Sequence, residues 1–217
     1  MIHVALAHEP GSFRSRVRDR GLAAIDEMVG RPPRARHPGR RRRRIAACET
    51  EIPPDRFPAY WRDALPDMLR RYERRCAFLA LYLEHATGNP SVDHMLPKSR
   101  PWDLVYEWSN YRLCASSVNA RKTDMTGLVD PFVCKSGWFA LELVGFQVTR
   151  GSQAPAAHTA AIDATLQLVN DTEACKAREE YVTSYREGHI HLKYLEYRAP
   201  FIAQELRRQG QLRPGDN

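Results

Sequence analysis

Between Asp93 and Lys122 the chain carries, in order, an Asp93-His94 pair, Lys98, Asn110, Asn119, Arg121 and Lys122. These are side chains that phosphodiester hydrolysis can use. A water must lose a proton, the phosphorus must be held in line, and the charge on the departing 3′ oxygen must be neutralised. A neutral imidazole accepts a proton well near cellular pH because its unperturbed pKa is about 6.5, which makes His94 the candidate general base. The Asp93 carboxylate and the Asn119 amide carbonyl are oxygen donors, the kind that one Mg2+ or Mn2+ ion takes while keeping several waters. Lys98, Arg121 and Lys122 are cations within reach of a phosphate, and Lys122 follows Asn119 by three residues, on the same face of a helix. Plainer roles exist for each: a hydrogen-bonded structural histidine, an asparagine at a helix start, solvated lysines.

The elements that must position these groups are short. Ser91 to Leu96 and Asn110 to Ala115 read as two strands, and Ser116 or Ser117 can cap a helix running to Lys122. Neighbours on a strand point to opposite sides, so a bend at the strand end, near Pro97, is needed for Asp93 and His94 to serve one site. Upstream, residues 12–29 suggest an amphipathic helix broken at Gly21. Leu69, Tyr72, Cys76, Leu79, Ala80 and Leu83 recur at threes and fours, which predicts a helix over 66–86, stopped by Thr87-Gly88-Asn89-Pro90. Downstream, 137–148 alternates like a hairpin with Gly145 near its turn. Helices are expected over 158–168, 172–186 (capped by Asp171 or Thr172) and 191–209. The fold class is therefore α+β, mostly helical, with a small ββα unit inside a helical frame. Its three segments are 1–65, 66–130 and 131–217.

The net charge of +7 is local, because eight arginines and no acid lie between Arg31 and Arg44. The tract, including Arg40, Arg41, Arg42, Arg43 and Arg44, has the composition of a mobile loop. It either attracts phosphate backbones with little sequence preference or is a solvated linker. Five widely spaced cysteines with no secretion signal argue for reduced thiols in a cytoplasmic protein rather than a disulfide framework. No apolar run approaches the roughly 20 residues of a membrane helix. Trp102 and Trp108 read as packing, and His158, His189 and His191 as incidental.

Asp93-His94, Asn110 and Asn119 resemble the HNH (ββα-metal) nuclease motif in its H-N-N form, and the spacing from Asn110 to Asn119 is similar to that in the HNH domain of RNA-guided CRISPR nucleases. A closer likeness, over about Cys76 to Asp130, is to the HNH subunits of Septu-type and retron-associated anti-phage systems. It is carried by His94-Met-Leu-Pro-Lys98-Ser99, Trp108-Ser-Asn110-Tyr111 and Val118-Asn119-Ala-Arg-Lys122. The resemblance implies His94 as general base, Asp93 and Asn119 as metal ligands, and Asn110 as a brace for the loop beside the histidine. Lys122 would sit near the phosphate or pin the helix. Many such relatives hold the unit with two CxxC pairs around zinc. Here Cys76 is followed by Leu79 and Cys114 by Ser117, so a structural zinc is not expected. The resemblance further implies a DNA endonuclease used in anti-phage defence beside an ABC- or SMC-like ATPase. A homodimer would supply the second site that duplex cleavage needs. Two other readings stand beside it: an inactive HNH-fold module that only grips nucleic acid through the arginine tract, and an all-helical adaptor.

Overall fold

The structure is a computed structural model and describes residues 1–34, 41–99 and 102–216. A π-helical turn, Arg14–Arg18, leads without interruption into α1 (Asp19–Met28), so the helix is not broken at Gly21. Gly21 is instead the point where the Tyr106 ring lies against the helix: a Cβ there would stand 2.2 Å from ring carbons. Tyr106 cannot swing aside freely, since its hydroxyl donates to the Pro58 carbonyl at 2.8 Å. Gly21→Ala is therefore expected to cost about 1–3 kcal/mol through overpacking. Helix propensity alone would make the same change stabilising by up to about 1 kcal/mol, so the sign of the shift in urea unfolding separates the two effects.

The helix expected over 66–86 is much shorter. α2 spans only Leu65–Arg71, after which Glu73, Arg74 and Ala80 adopt positive φ and end any helical course. Residues 75–82 form a tight turn closed by the Arg75–Tyr82 bridge, with Cys76 N–H donating to the Leu81 carbonyl at 2.9 Å. The periodicity misled because Cys76, Ala77, Phe78, Ala80, Leu81 and Leu83 are all buried. A segment covered on every side leaves no polar face to betray its true conformation.

β1 (Pro90–His94) and β2 (Tyr111–Ala115) pair antiparallel, with Asp93 opposite Arg112 and His94 opposite Tyr111, and α3 (Ser116–Lys122) follows at once. The ββα unit thus lies within a residue or two of its expected bounds. Neither serine caps α3: Ala115 is the N-cap residue, and no side chain makes the cap bond. β3 (Phe139–Leu141) and β4 (Val148–Arg150) form the second hairpin, its turn held by Glu142, which accepts from the N–H groups of Val144, Gly145 and Gln147.

α4 (Thr159–Val169) and α5 (Thr172–Arg186) match expectation, and Asp171 rather than Thr172 caps α5 through the Ala174 N–H. The helix expected over 191–209 is two: α6 (Leu192–Arg198) and α7 (Pro200–Arg208). Pro200 forces the division, because the residue before a proline avoids helical geometry and Ala199 has φ −144° and ψ 62°. His191 is not incidental, since its Nδ1 accepts from the Tyr194 N–H at 3.0 Å and caps α6.

The fold is α+β and mostly helical, and one cluster of buried side chains runs from Phe13 and Ile25 through Tyr111 and Leu113 to Leu195 and Leu206. Trp108 is buried in it, stacked on Tyr72, with its indole N–H on the Ala7 carbonyl. Among the described residues no helix is long and apolar enough to cross a membrane.

Candidate active site around the ββα unit

β1 is covered on both faces, by α3 on one side and by the turn Tyr60–Ala64 on the other. Pairing stays in register through His94, and the chain bends directly after it, at Met95 and Leu96, at the strand end before Pro97 where the sequence predicts a bend. The two side chains accordingly have separate surroundings.

On the α3 side, the Lys122 ammonium donates to Asp93 Oδ1 at 3.2 Å and to the His94 carbonyl at 2.6 Å. Lys122 is 0% exposed and Asp93 2%. This corrects the reading of Lys122 as a nucleic-acid contact: its ammonium is sealed beneath α3 and pins that helix to the end of β1. One turn earlier, Asn119 donates its amide N–H to the Ser91 hydroxyl at 3.2 Å and the Val92 carbonyl at 3.4 Å. Ser91 in turn donates to the Cys114 carbonyl, tying the asparagine to both strands.

On the other side, His94 Nε2 lies 2.9 Å from the Val105 carbonyl. A carbonyl only accepts, so Nε2 carries the proton, and neutral His94 keeps its lone pair on Nδ1. The ring is held edge-on by Trp61 at 4.9 Å and Tyr111 at 5.1 Å, and the Tyr111 hydroxyl donates to the same Val105 carbonyl. Lys98 sits over the outer face of Trp61, its Nζ 4.7 Å from the ring centre. Asn110 braces the loop after β1. Its Oδ1 accepts from the Leu96 N–H at 2.8 Å, and its Nδ2 donates to the Leu96 and Leu104 carbonyls at 3.0 and 3.1 Å.

Burial sets the electrostatics. It pushes the His94 imidazole down to about 4, opposed by the Val105 bond, so the ring is neutral at physiological pH. It pushes the Asp93 carboxyl up to about 6, opposed by Lys122. A histidine whose folded pKa is depressed contributes stability that is present above its unfolded value near 6.5 and is lost as pH falls towards about 4. Asp93, shifted upward, has the opposite slope between about 4 and 6 and masks this in the wild type. The stability difference between wild type and His94→Gln cancels the Asp93 contribution. It should shrink steadily from about pH 6.5 to pH 4 in metal-free protein; a flat difference would mean an open, solvated ring.

Two oxygens of the kind a small hard cation takes lie on the α3 side, one of them on a carboxylate whose other oxygen Lys122 already holds. Asp93 Oδ2 is buried without a hydrogen-bond partner, and the bonds from Asn119 Nδ2 use that amide's nitrogen and leave its oxygen for another role. A carboxylate and an amide oxygen on one side of the unit are donors that Mg2+ or Mn2+ accepts.

The cationic residues divide. Arg121 is exposed but engaged with Asp171 at 2.6 Å. Arg41, Arg43 and Arg44 are exposed, whereas Arg42 bonds the Tyr60 hydroxyl and donates its N–H to Glu27. Arg31 and Arg34 both grip the buried Asp26 of α1. Both described ends of the tract are thus tied to one helix instead of being free, because α1 ends in two buried acids that need partners. Arg40 lies outside the described residues.

Trp61 and the Val105 carbonyl escaped the reading of the sequence. A tryptophan in a proline-rich stretch carries no signal of a partner some thirty residues on, and a backbone carbonyl carries none at all. Comparison with known protein families, with curated proteins and with solved structures found no match for this chain.

Proposed function

We propose that this chain is a metal-dependent endonuclease of the HNH (ββα-metal) type that hydrolyses phosphodiester bonds of DNA. The observation that carries the reading is the state of His94: Nε2 is committed to a carbonyl, Nδ1 is the ring's acceptor, and burial keeps the ring neutral. A neutral ring with one nitrogen fixed and the other free to accept is the form a general base needs, and a neighbouring cation-bound water would have to be acidic enough for so weakly basic a ring to take its proton. In this reading Asp93 and Asn119 hold one Mg2+ or Mn2+ ion, and because Asp93 and His94 face opposite sides of β1, the phosphodiester has to span the end of the strand to meet both. When bound, the ion supplies charge neutralisation at the departing 3′ oxygen. His94 takes the proton of the attacking water at Nδ1. Val105 and Tyr111 fix the ring, Asn110 holds the adjoining loop in shape, and Lys98 meets a phosphate oxygen at the rim.

The resemblance supports DNA as substrate and a defence role beside an ABC- or SMC-like ATPase, with a homodimer as the simplest route to duplex cleavage. The first experiment is incubation of supercoiled plasmid with the protein in Mg2+, Mn2+ or EDTA. Metal-dependent nicking is the expected result. If nicking appears only when the ATPase partner and ATP are added, the chain is an effector licensed by assembly.

One observation favours a second reading. The Lys122 ammonium already neutralises one oxygen of Asp93, as a cation would, which suits an inactive module that only grips nucleic acid. It predicts DNA binding that survives His94→Ala, disappears when 40–44 are deleted, and is never accompanied by cleavage.

A further inference from the structure

Cys76 and Cys114 are far apart in the chain and both buried, yet their sulfurs stand 3.9 Å apart, the Cys76 thiol donating to Cys114 Sγ. The Cys76 sulfur is approached by backbone N–H groups of Phe78 and Leu79 from the turn that follows it and of Ala115 from the end of β2. A cavity of about 270 Å3 has Cys76 in its wall, beside Arg71, Arg75 and His3. The pair therefore combines a sulfur held by hydrogen-bond donors, a second thiol in contact with it, and a place in the wall of a cavity. By contrast, Cys48 and Cys175 are more exposed.

We propose that Cys76 and Cys114 form a two-electron redox couple, in which a hydroperoxide entering this cavity oxidises Cys76 and Cys114 resolves the product to an intramolecular disulfide. The Cys76 thiolate attacks one peroxide oxygen and the O–O bond breaks, leaving a sulfenic acid on Cys76 and releasing hydroxide or alkoxide. Cys114 sulfur then attacks Cys76 sulfur. The S–O bond breaks, and the hydroxyl leaves with the Cys114 proton as water. Two electrons pass from the two thiols to the peroxide.

The Cys114 hydrogen bond and the backbone N–H groups hold the Cys76 thiol down at about 7 against the upward push of burial, while burial pushes Cys114 well up. The attacking role falls to Cys76, which lines the cavity, and the resolving role to Cys114, which lies behind it. Closing the sulfurs to bonding distance requires an approach of about 2 Å, which rotation of the two side chains can supply. Cys114 lies on β2 opposite Ser91, so the bond would fasten the 75–82 turn to the hairpin that carries Asp93 and His94.

The test is graded hydrogen peroxide on the full chain, alkylation of the remaining thiols under denaturant, and peptide mapping. A Cys76–Cys114 cross-link is expected to form at least about ten-fold faster than oxidation of Cys48 or Cys175, to reverse with dithiothreitol, and to raise the urea midpoint. Cys114→Ser should accumulate a sulfenic acid trapped by dimedone at Cys76, and Cys76→Ser should form no cross-link. Oxidation following exposure alone, with Cys48 and Cys175 consumed first while Cys76 and Cys114 remain alkylatable, would overturn the proposal. The wild-type map decides the question even if a serine variant does not fold.

Discussion

On the proposed nuclease reading, replacing His94 by alanine should lower DNA cleavage by about 10²–10⁴-fold, to background, with metal and substrate saturating. The magnitude is that of a lost general base. Its Nε2 is engaged with the Val105 carbonyl and its ring is wedged between Trp61 and Tyr111, so no neighbouring group can take over the proton. His94→Gln separates chemistry from packing: an amide can still donate to Val105 but is not a base at neutral pH. Near-normal unfolding with cleavage at background is the expected pair of results. Cleavage within a few-fold of wild type in either variant would remove His94 from the mechanism. A second measurement guards against contamination, since activity and protein must co-elute and both must depend on Mg2+ or Mn2+.

Lys122→Met should be the most damaging single change to stability, at about 3–5 kcal/mol, because it strands the Asp93 carboxylate in the interior. Lys122 is 0% exposed, and it also carries the bond that closes the His94 carbonyl. In a domain of this size the loss corresponds to a fall in Tm on the order of 10 °C. The deficit should narrow as pH falls towards about 6 and level off below it, because loss of Lys122 lets burial raise the Asp93 carboxyl further and the stranded charge is protonated before that of the wild type. Asp93→Asn combined with Lys122→Met should recover part of the loss, since two neutral groups replace one unpaired ion. A deficit under about 1 kcal/mol, indifferent to pH, would mean that the lysine turns outward to solvent. That result would restore it as a candidate phosphate contact.

Local rules sufficed wherever an element is short and bounded by its own residues. The two strands and α3 were legible from alternation and from the turn residues before Pro90, and Asp171 announced the start of α5 through capping chemistry. The order Asp93-His94, Asn110, Asn119 likewise located the candidate site. Pro200 was equally local information, and the split between α6 and α7 follows from it directly. What the sequence could not carry were facts about enclosure. Cys76 to Leu83 fold as a tight turn, not a helix, and six of these residues are buried, which erases the polar stripe that period-reading needs. Lys122 looks like any lysine at a helix end until α3 is laid on β1, where geometry alone turns it inward to Asp93. The tautomer of His94 depends on a backbone carbonyl eleven residues away, and the contact between Cys76 and Cys114 on a turn docking against β2. Residue order determined which chemical groups this protein owns. Only the tertiary structure decided which of them are withdrawn from water, and burial is what sets their charge and their reactivity.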